Sequence, residues 1–177
     1  MAKEVIKNIV HLGFVVHDVD ETMKKLVDLL GMKPWNIWTM KPPFLRDITV
    51  HGKEVSHGFR AAIAQLENTA IELLAPLEGE SVYKEYLEKK GEGFHHVAVA
   101  VPSEEELEKI VKELKEKGCE VIQSGRLGDL ALYYYVDIKE IGLVIELFTG
   151  TVPPPERSYP LTLFFLLKNI KRIAFPQ

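Results

Sequence analysis

Apolar residues in this chain recur at two spacings, and the switches between them outline its elements. Met23, Leu26, Val27 and Leu30 recur at intervals of three and four, the period of an amphipathic helix. Asp18 or Asp20 can cap that helix, and Gly31 ends it. Leu107, Ile110, Val111 and Leu114 form a second stripe of the same kind. Ser103, with Glu106 three positions on, has the capping-box arrangement, and Gly118 stops the helix. The charges between Glu104 and Lys117 solvate its outer face. A shorter helix is predicted over 81–89. The other apolar runs are short and rich in β-branched or aromatic residues, roughly 46–51, 58–66, 69–75, 119–123, 130–136 and 142–148. They read as strands. Residues 36–57, broken by Pro42, Pro43 and Gly52, carry the weakest pattern.

These elements repeat. HLGFVVHDVDETMKKLVDLLG begins at His11, and HVAVAVPSEEELEKIVKELKEKG begins at His96. Each is an apolar strand, an acidic turn, an amphipathic helix and a glycine. AIELLAPL, containing Glu72, is likewise matched by VIELFTG, containing Glu146. Each half therefore reads strand–helix–strand–strand–strand, an α+β pattern. The expectation is one domain over 1–152, made of two βαβββ modules at about 5–78 and 92–150. An extension over 153–177 follows Pro153, Pro154 and Pro155. In it Leu163, Leu166, Leu167, Ile170 and Ala174 recur at helical spacing, opposite Lys168, Asn169, Lys171 and Arg172. That predicts an amphipathic helix from about Pro160 to Arg172, docked on the barrel or on a second copy in a homodimer.

Candidate chemistry follows from strand geometry, in which alternate side chains share a face. His96 shares its face with Ala98 and Ala100, small neighbours such as a pocket requires, whereas His95 goes with Val97 and Val99 on a packing face. His11 lies with Gly13 and Val15, Glu72 with Ala70 and Leu74, and Glu146 with Gly142 and Val144. Four polar side chains thus project from apolar strands in symmetric pairs. A buried carboxylate is costly unless it is paired or bound to a cation. Two imidazoles and two carboxylates suit a six-coordinate divalent ion, with two positions left for water or substrate. Imidazole favours Zn, Ni, Co and Fe, and carboxylate also suits Mn. Against this stands the ordinary reading, in which a lone histidine finds a hydrogen-bond partner and a lone glutamate faces water.

Composition narrows the classes. With 46% hydrophobic and 27% charged residues among 177, the chain has a globular balance. Its net charge of −4 argues against a nucleic-acid partner. One cysteine, Cys119, permits no internal disulfide, and no apolar run approaches the ~20 residues of a membrane span. A cytoplasmic location is expected.

IVHLGFVV, NTAIELLAPLEGESVYKEYLEKKGEGFHHVAVAV and GLVIELF together resemble methylmalonyl-CoA epimerase, within the vicinal-oxygen-chelate (glyoxalase/bleomycin resistance/dioxygenase) superfamily. The resemblance covers roughly residues 5–150. It implies an open mixed β-barrel, one divalent metal held by His11, Glu72, His96 and Glu146, and proton abstraction beside a carbonyl of a small molecule such as an acyl-CoA. There are departures. The epimerases often have glutamine where this chain has Glu72; a His, Glu, His, Glu set is similar to some bacterial glyoxalase I enzymes. Bacterial epimerases carry a glutamate base three residues past the glycine matching Gly58; here Ala61 stands there. A His-Pro pair before the last strand is replaced by Val136 and Asp137. Without a base at Ala61, Glu72 and Glu146 are the available catalytic pair. A glyoxalase I-type lyase, an Fe(II) dioxygenase, against which the extra glutamate argues, and a metal-free binding protein are the alternatives. His57, Glu54 and Asp47 are read as surface residues, and Tyr133, Tyr134 and Tyr135 as strand packing.

Overall fold

A computed structural model describes residues 8–160. Its elements run β1 (His11–Val15), α1 (Val19–Leu30), β2 (Trp35–Met40), β3 (Leu45–Val50), β4 (Lys53–Glu54), β5 (His57–Gln65), β6 (Ala70–Gly79), α2 (Val82–Lys90), β7 (Gly93–Ala100), α3 (Glu104–Glu116), β8 (Glu120–Leu127), β9 (Ala131–Ile138), β10 (Leu143–Gly150) and β11 (Arg157–Tyr159). The helices start where their caps dictate. Asp18 Oδ1 accepts from the Glu21 N–H at 2.9 Å, and Ser103 Oγ accepts from the Glu106 N–H at 3.2 Å. α1 ends on Gly31 in the left-handed conformation. Its stripe is only partly covered: Met23 is buried, whereas Leu30 is 67% exposed.

All the strands join one mixed, unclosed sheet in the order β11-β2-β5-β6-β1-β7-β10-β9-β8-β3-β4. β1 and β7 run antiparallel at its centre, and each is flanked by a parallel partner, β6 on one side and β10 on the other. The two βαβββ modules therefore meet along β1 and β7, and the sheet curls into an open barrel. Alternation sorts the side chains. Outward residues such as Trp35, Ile37 and Leu73 pack with Met23 of α1. On the other half, Leu132, Val136 and Leu147 pack with Leu107 and Val111 of α3. Inward residues such as Trp38, Phe59, Leu74, Tyr133 and Tyr135 form a third, interior cluster.

Two local expectations are corrected. The second strand of the first module is β2, not the run near 46–51. That run is β3, which crosses to pair with β8 at the far edge of the second module, with β4 beside it. Its hydrophobic alternation was visible, but its partner lies more than seventy residues away and left no local mark. In the extension, Arg157–Tyr159 is extended, adding edge strand β11 to β2. Trp38 Nε1 donates to the Pro153 carbonyl at 2.8 Å, and Arg157 pairs with Asp20. The helix expected from about Pro160 lies outside the described residues.

The barrel strands close on glycines. Gly150 ends β10 at φ +102°, and a Cβ there would lie 2.0 Å from the Leu130 carbonyl oxygen; Gly142, at φ +63°, faces open space. Gly142→Ala is expected to cost about 1 kcal/mol of backbone strain alone. Gly150→Ala adds a collision with backbone and is expected to cost about 3 kcal/mol or more. Urea unfolding measures both, and equal midpoints for the two variants would contradict the assignment.

Candidate metal centre

Four adjacent strands, β6-β1-β7-β10, each contribute one polar side chain to a single point. Cross-strand register explains why they fit. His11 lies between Ala70 and Ala98, and His96 lies between Gly13 and Val144. A Cβ on Gly13 would sit 2.0 Å from His96 Cε1, so the imidazole occupies space that only glycine leaves open. His11, Glu72, His96 and Glu146 are all buried, and each offers one donor atom, all within 4.8 Å of one another. His11 Nε2 is 3.2 Å from His96 Nε2, 3.2 Å from Glu72 Oε2 and 2.9 Å from Glu146 Oε2. His96 Nε2 is 3.5 Å from Glu72 Oε2 and 3.3 Å from Glu146 Oε2.

This arrangement fits a divalent cation. Donors bound at right angles to an ion about 2.1 Å away lie about 3 Å apart, close to the separations seen. Glu146 Oε2 comes within ion-pair distance of both imidazoles, yet it is buried without a hydrogen-bond partner. Its oxygen lies between the two rings, 2.9 Å from His11 Nε2 and 3.3 Å from His96 Nε2. The protonation pattern agrees. Burial disfavours charge on His11, but Glu72 and Glu146 outweigh it and push its imidazole up to about 10. His96 is raised in the same way, burial again opposing and Glu146 and Glu72 prevailing. Burial would raise both carboxyls, but the histidines override it: Glu146 falls well below the usual carboxylate range, and Glu72 is lowered too. The point that the four side chains share thus favours positive charge. His, Glu, His and Glu could hold a divalent ion of the Zn, Ni, Co, Fe or Mn class.

The centre lies on the wall of a cavity of about 900 Å³, bordered by His11, Glu72 and Glu146. His96 sits behind them, 0% exposed. The remaining wall within the barrel is largely apolar and aromatic, with Trp38, Met40, Phe59, Tyr133, Tyr135 and Phe148. Such a wall suits a small-molecule site. Ala61 also lines it, so no carboxylate enters from that position. Tyr133 and Tyr135 face the cavity, which sequence alternation could have shown once one of them was placed inward. Tyr83 Oη, also on the wall, donates to Tyr135 Oη at 3.0 Å. Asp47 and Glu54 are exposed as expected. His57 is not; it is 1% exposed, neither ring nitrogen has a partner, and burial lowers its pKa to about 4. It packs on Phe59 and Tyr83, outside the cavity lining. His95 also departs from expectation. It is buried on the same side as His96, its Nδ1 3.0 Å from His96 Nδ1. Burial lowers its pKa to about 3.

Known proteins share this architecture. The model of the Glyoxalase/Bleomycin resistance protein/Dioxygenase superfamily matches residues 10–135. Uncharacterized protein YqjC of Bacillus subtilis (strain 168) is 30% identical over 88 residues, 50% of this chain and 53% of that one. The chain thus spans about half the length of that curated relative. A hypothetical protein from Bacillus halodurans C-125 has a similar structure, with a TM-score of 0.59 at 23% identity, covering 82% of this chain and 96% of that one. Methylmalonyl-CoA epimerase from Mycobacterium tuberculosis is similar at a TM-score of 0.57 and 23% identity, covering 85% and 93%. A Streptomyces coelicolor methylmalonyl-CoA epimerase in complex with 2-nitronate-propionyl-CoA is similar at 0.56 and 21%, covering 82% and 95%. At these identities the structural likeness speaks for the fold alone. The sequence match carries the family: running from the residue before His11 to Tyr135, it makes this chain a member of the glyoxalase/bleomycin resistance protein/dioxygenase superfamily.

Proposed function

We propose that this chain is a metal-dependent epimerase or isomerase that moves a proton on the carbon next to a substrate carbonyl. The observation that carries the reading is the convergence of His11, Glu72, His96 and Glu146 on one point in the wall of a largely apolar cavity. The four side chains would hold one divalent ion. When bound, such an ion supplies Lewis-acid stabilisation of negative charge developing on a carbonyl oxygen. The aromatic wall excludes water, which strengthens each electrostatic contact inside. Glu146 and Glu72 are the proposed acid–base pair: one carboxylate removes the α-proton, and the other, protonated from solvent, returns one to the opposite face. Ala61 cannot contribute, so both transfers fall to groups that also belong to the donor set.

The epimerases of similar fold make an acyl-CoA thioester the first substrate class to test. A glyoxalase I-type lyase is the second reading, favoured by a carboxylate at position 72, and it would act on a thiol adduct of a 2-oxoaldehyde. No helix among the described residues is long and apolar enough to cross a membrane.

Elemental analysis of the purified protein is expected to show one divalent ion per chain, and His96→Ala is expected to remove most of it. Full occupancy in His96→Ala would eliminate this donor set.

The loaded enzyme is expected to exchange a substrate α-proton with solvent deuterium, in an NMR assay over acyl-CoA thioesters and hemithioacetals. Glu146→Gln is expected to slow exchange roughly 10²–10⁴-fold while changing substrate binding far less. Undiminished exchange in Glu146→Gln would remove that carboxylate from the base role, and no exchange with any of these substrates would defeat the isomerase reading.

A further inference from the structure

We infer that His95 is a positioning residue for His96, accepting a hydrogen bond at its Nδ1 from His96 Nδ1–H and thereby leaving His96 Nε2 free to donate its lone pair to a cation. The inference rests on the proposed metal centre for its purpose and on the strand geometry for its existence.

Strict alternation would send the two rings to opposite faces of β7. A bulge prevents it. Gly13 of β1 pairs with His96, but Phe14 pairs with Phe94, so His95 is the extra residue of β7 with no counterpart on β1. An inserted residue of this kind re-aims its side chain. Here it turns His95 toward the side His96 occupies, and the ring of Tyr135 touches both, at 5.6 Å and 4.9 Å. Tyr83 and Tyr86 complete a cage around His95, at 5.8 Å and 5.1 Å, and all three tyrosine rings meet it edge-on. A ring held on three sides in this way has a fixed orientation.

The chemistry then assigns the protons. His96 Nε2 points at the convergence of donors, 3.2 Å from His11 Nε2. For that nitrogen to bind a cation, the proton of the neutral ring must sit on Nδ1. A buried N–H needs an acceptor, and His95 Nδ1 lies 3.0 Å away. His95 must therefore keep a lone pair on Nδ1 and carry its own proton on Nε2. An imidazole suits this position better than the carboxylate often found behind a metal-bound histidine. It accepts the hydrogen bond without adding a third negative charge beside Glu72 and Glu146.

Two measurements test the inference. Long-range proton–nitrogen NMR of the histidine rings in the full-length, metal-free protein is expected to show His95 protonated on Nε2 and bare on Nδ1, with His96 protonated on Nδ1. A proton on His95 Nδ1 would overturn the inference, and this readout needs no metal. Separately, Co(II) affinity is measured by visible absorbance against a competing chelator. His95→Phe, which keeps a ring in the tyrosine cage but removes the acceptor, is expected to weaken binding roughly 10–100-fold. His95→Asn, which returns an acceptor oxygen near the place of Nδ1, is expected to recover most of that loss. Wild-type affinity in His95→Phe, or an equal loss in both variants at equal melting temperature, would overturn it. If the wild-type protein binds no Co(II), Zn(II), Ni(II) or Mn(II), the proposed metal centre fails, and the ring-nitrogen spectrum still decides the role of His95.

Discussion

Two carboxylates cannot share a buried point without positive charge beside them. Glu72 and Glu146 are both buried, and bringing two such groups close in a water-poor interior would be prohibitive in isolation. The side chains around this point answer that demand. The two histidines arrive from the central strand pair, on the same face as the carboxylates of the flanking strands. The two carboxylates raise both imidazoles above their ordinary range. The small residues around them follow from the same demand. Ala70, Ala98 and Gly13 stand opposite the ligand positions in the ladders, since four side chains cannot converge if their neighbours also fill the space.

Much of this was legible in the chain itself because it rests on short-range rules. Helix starts at Asp18 and Ser103 follow from capping, and the matching of His11 with His96 and of Glu72 with Glu146 follows from the internal repeat. Alternation then gave His11 and His96 small neighbours on their faces. His95 escaped for a specific reason: period-two reasoning assumes an unbroken ladder, and one inserted residue at the bulge inverts the face. The signal available was weak, two adjacent histidines where a strict alternation would bury only one. His57 escaped in a similar way. It lies just after a segment broken by prolines and glycine, so its burial against Phe59 and Tyr83 comes from tertiary packing.

β2 and β3 show the other limit. Trp35–Met40 is bounded by prolines and reads as irregular, yet both its neighbours, β5 and β11, come from later in the chain. Ladder partners that distant leave no trace in a local window. The four converging side chains were easier because the internal repeat carries the pattern twice, and two weak signals in register exceed one strong one.

The crossing of β3 changes what the internal duplication now means. Two independent half-barrels would each be whole. Here a hairpin that begins in the first half finishes the edge of the second, where Thr49 Oγ1 and Ser124 Oγ lie 2.7 Å apart. The halves are sewn together rather than merely abutted. Cut between them, one piece would carry a hairpin without its sheet and the other a bare strand edge, an open template for aggregation. The stitch makes each half depend on the other for a finished edge.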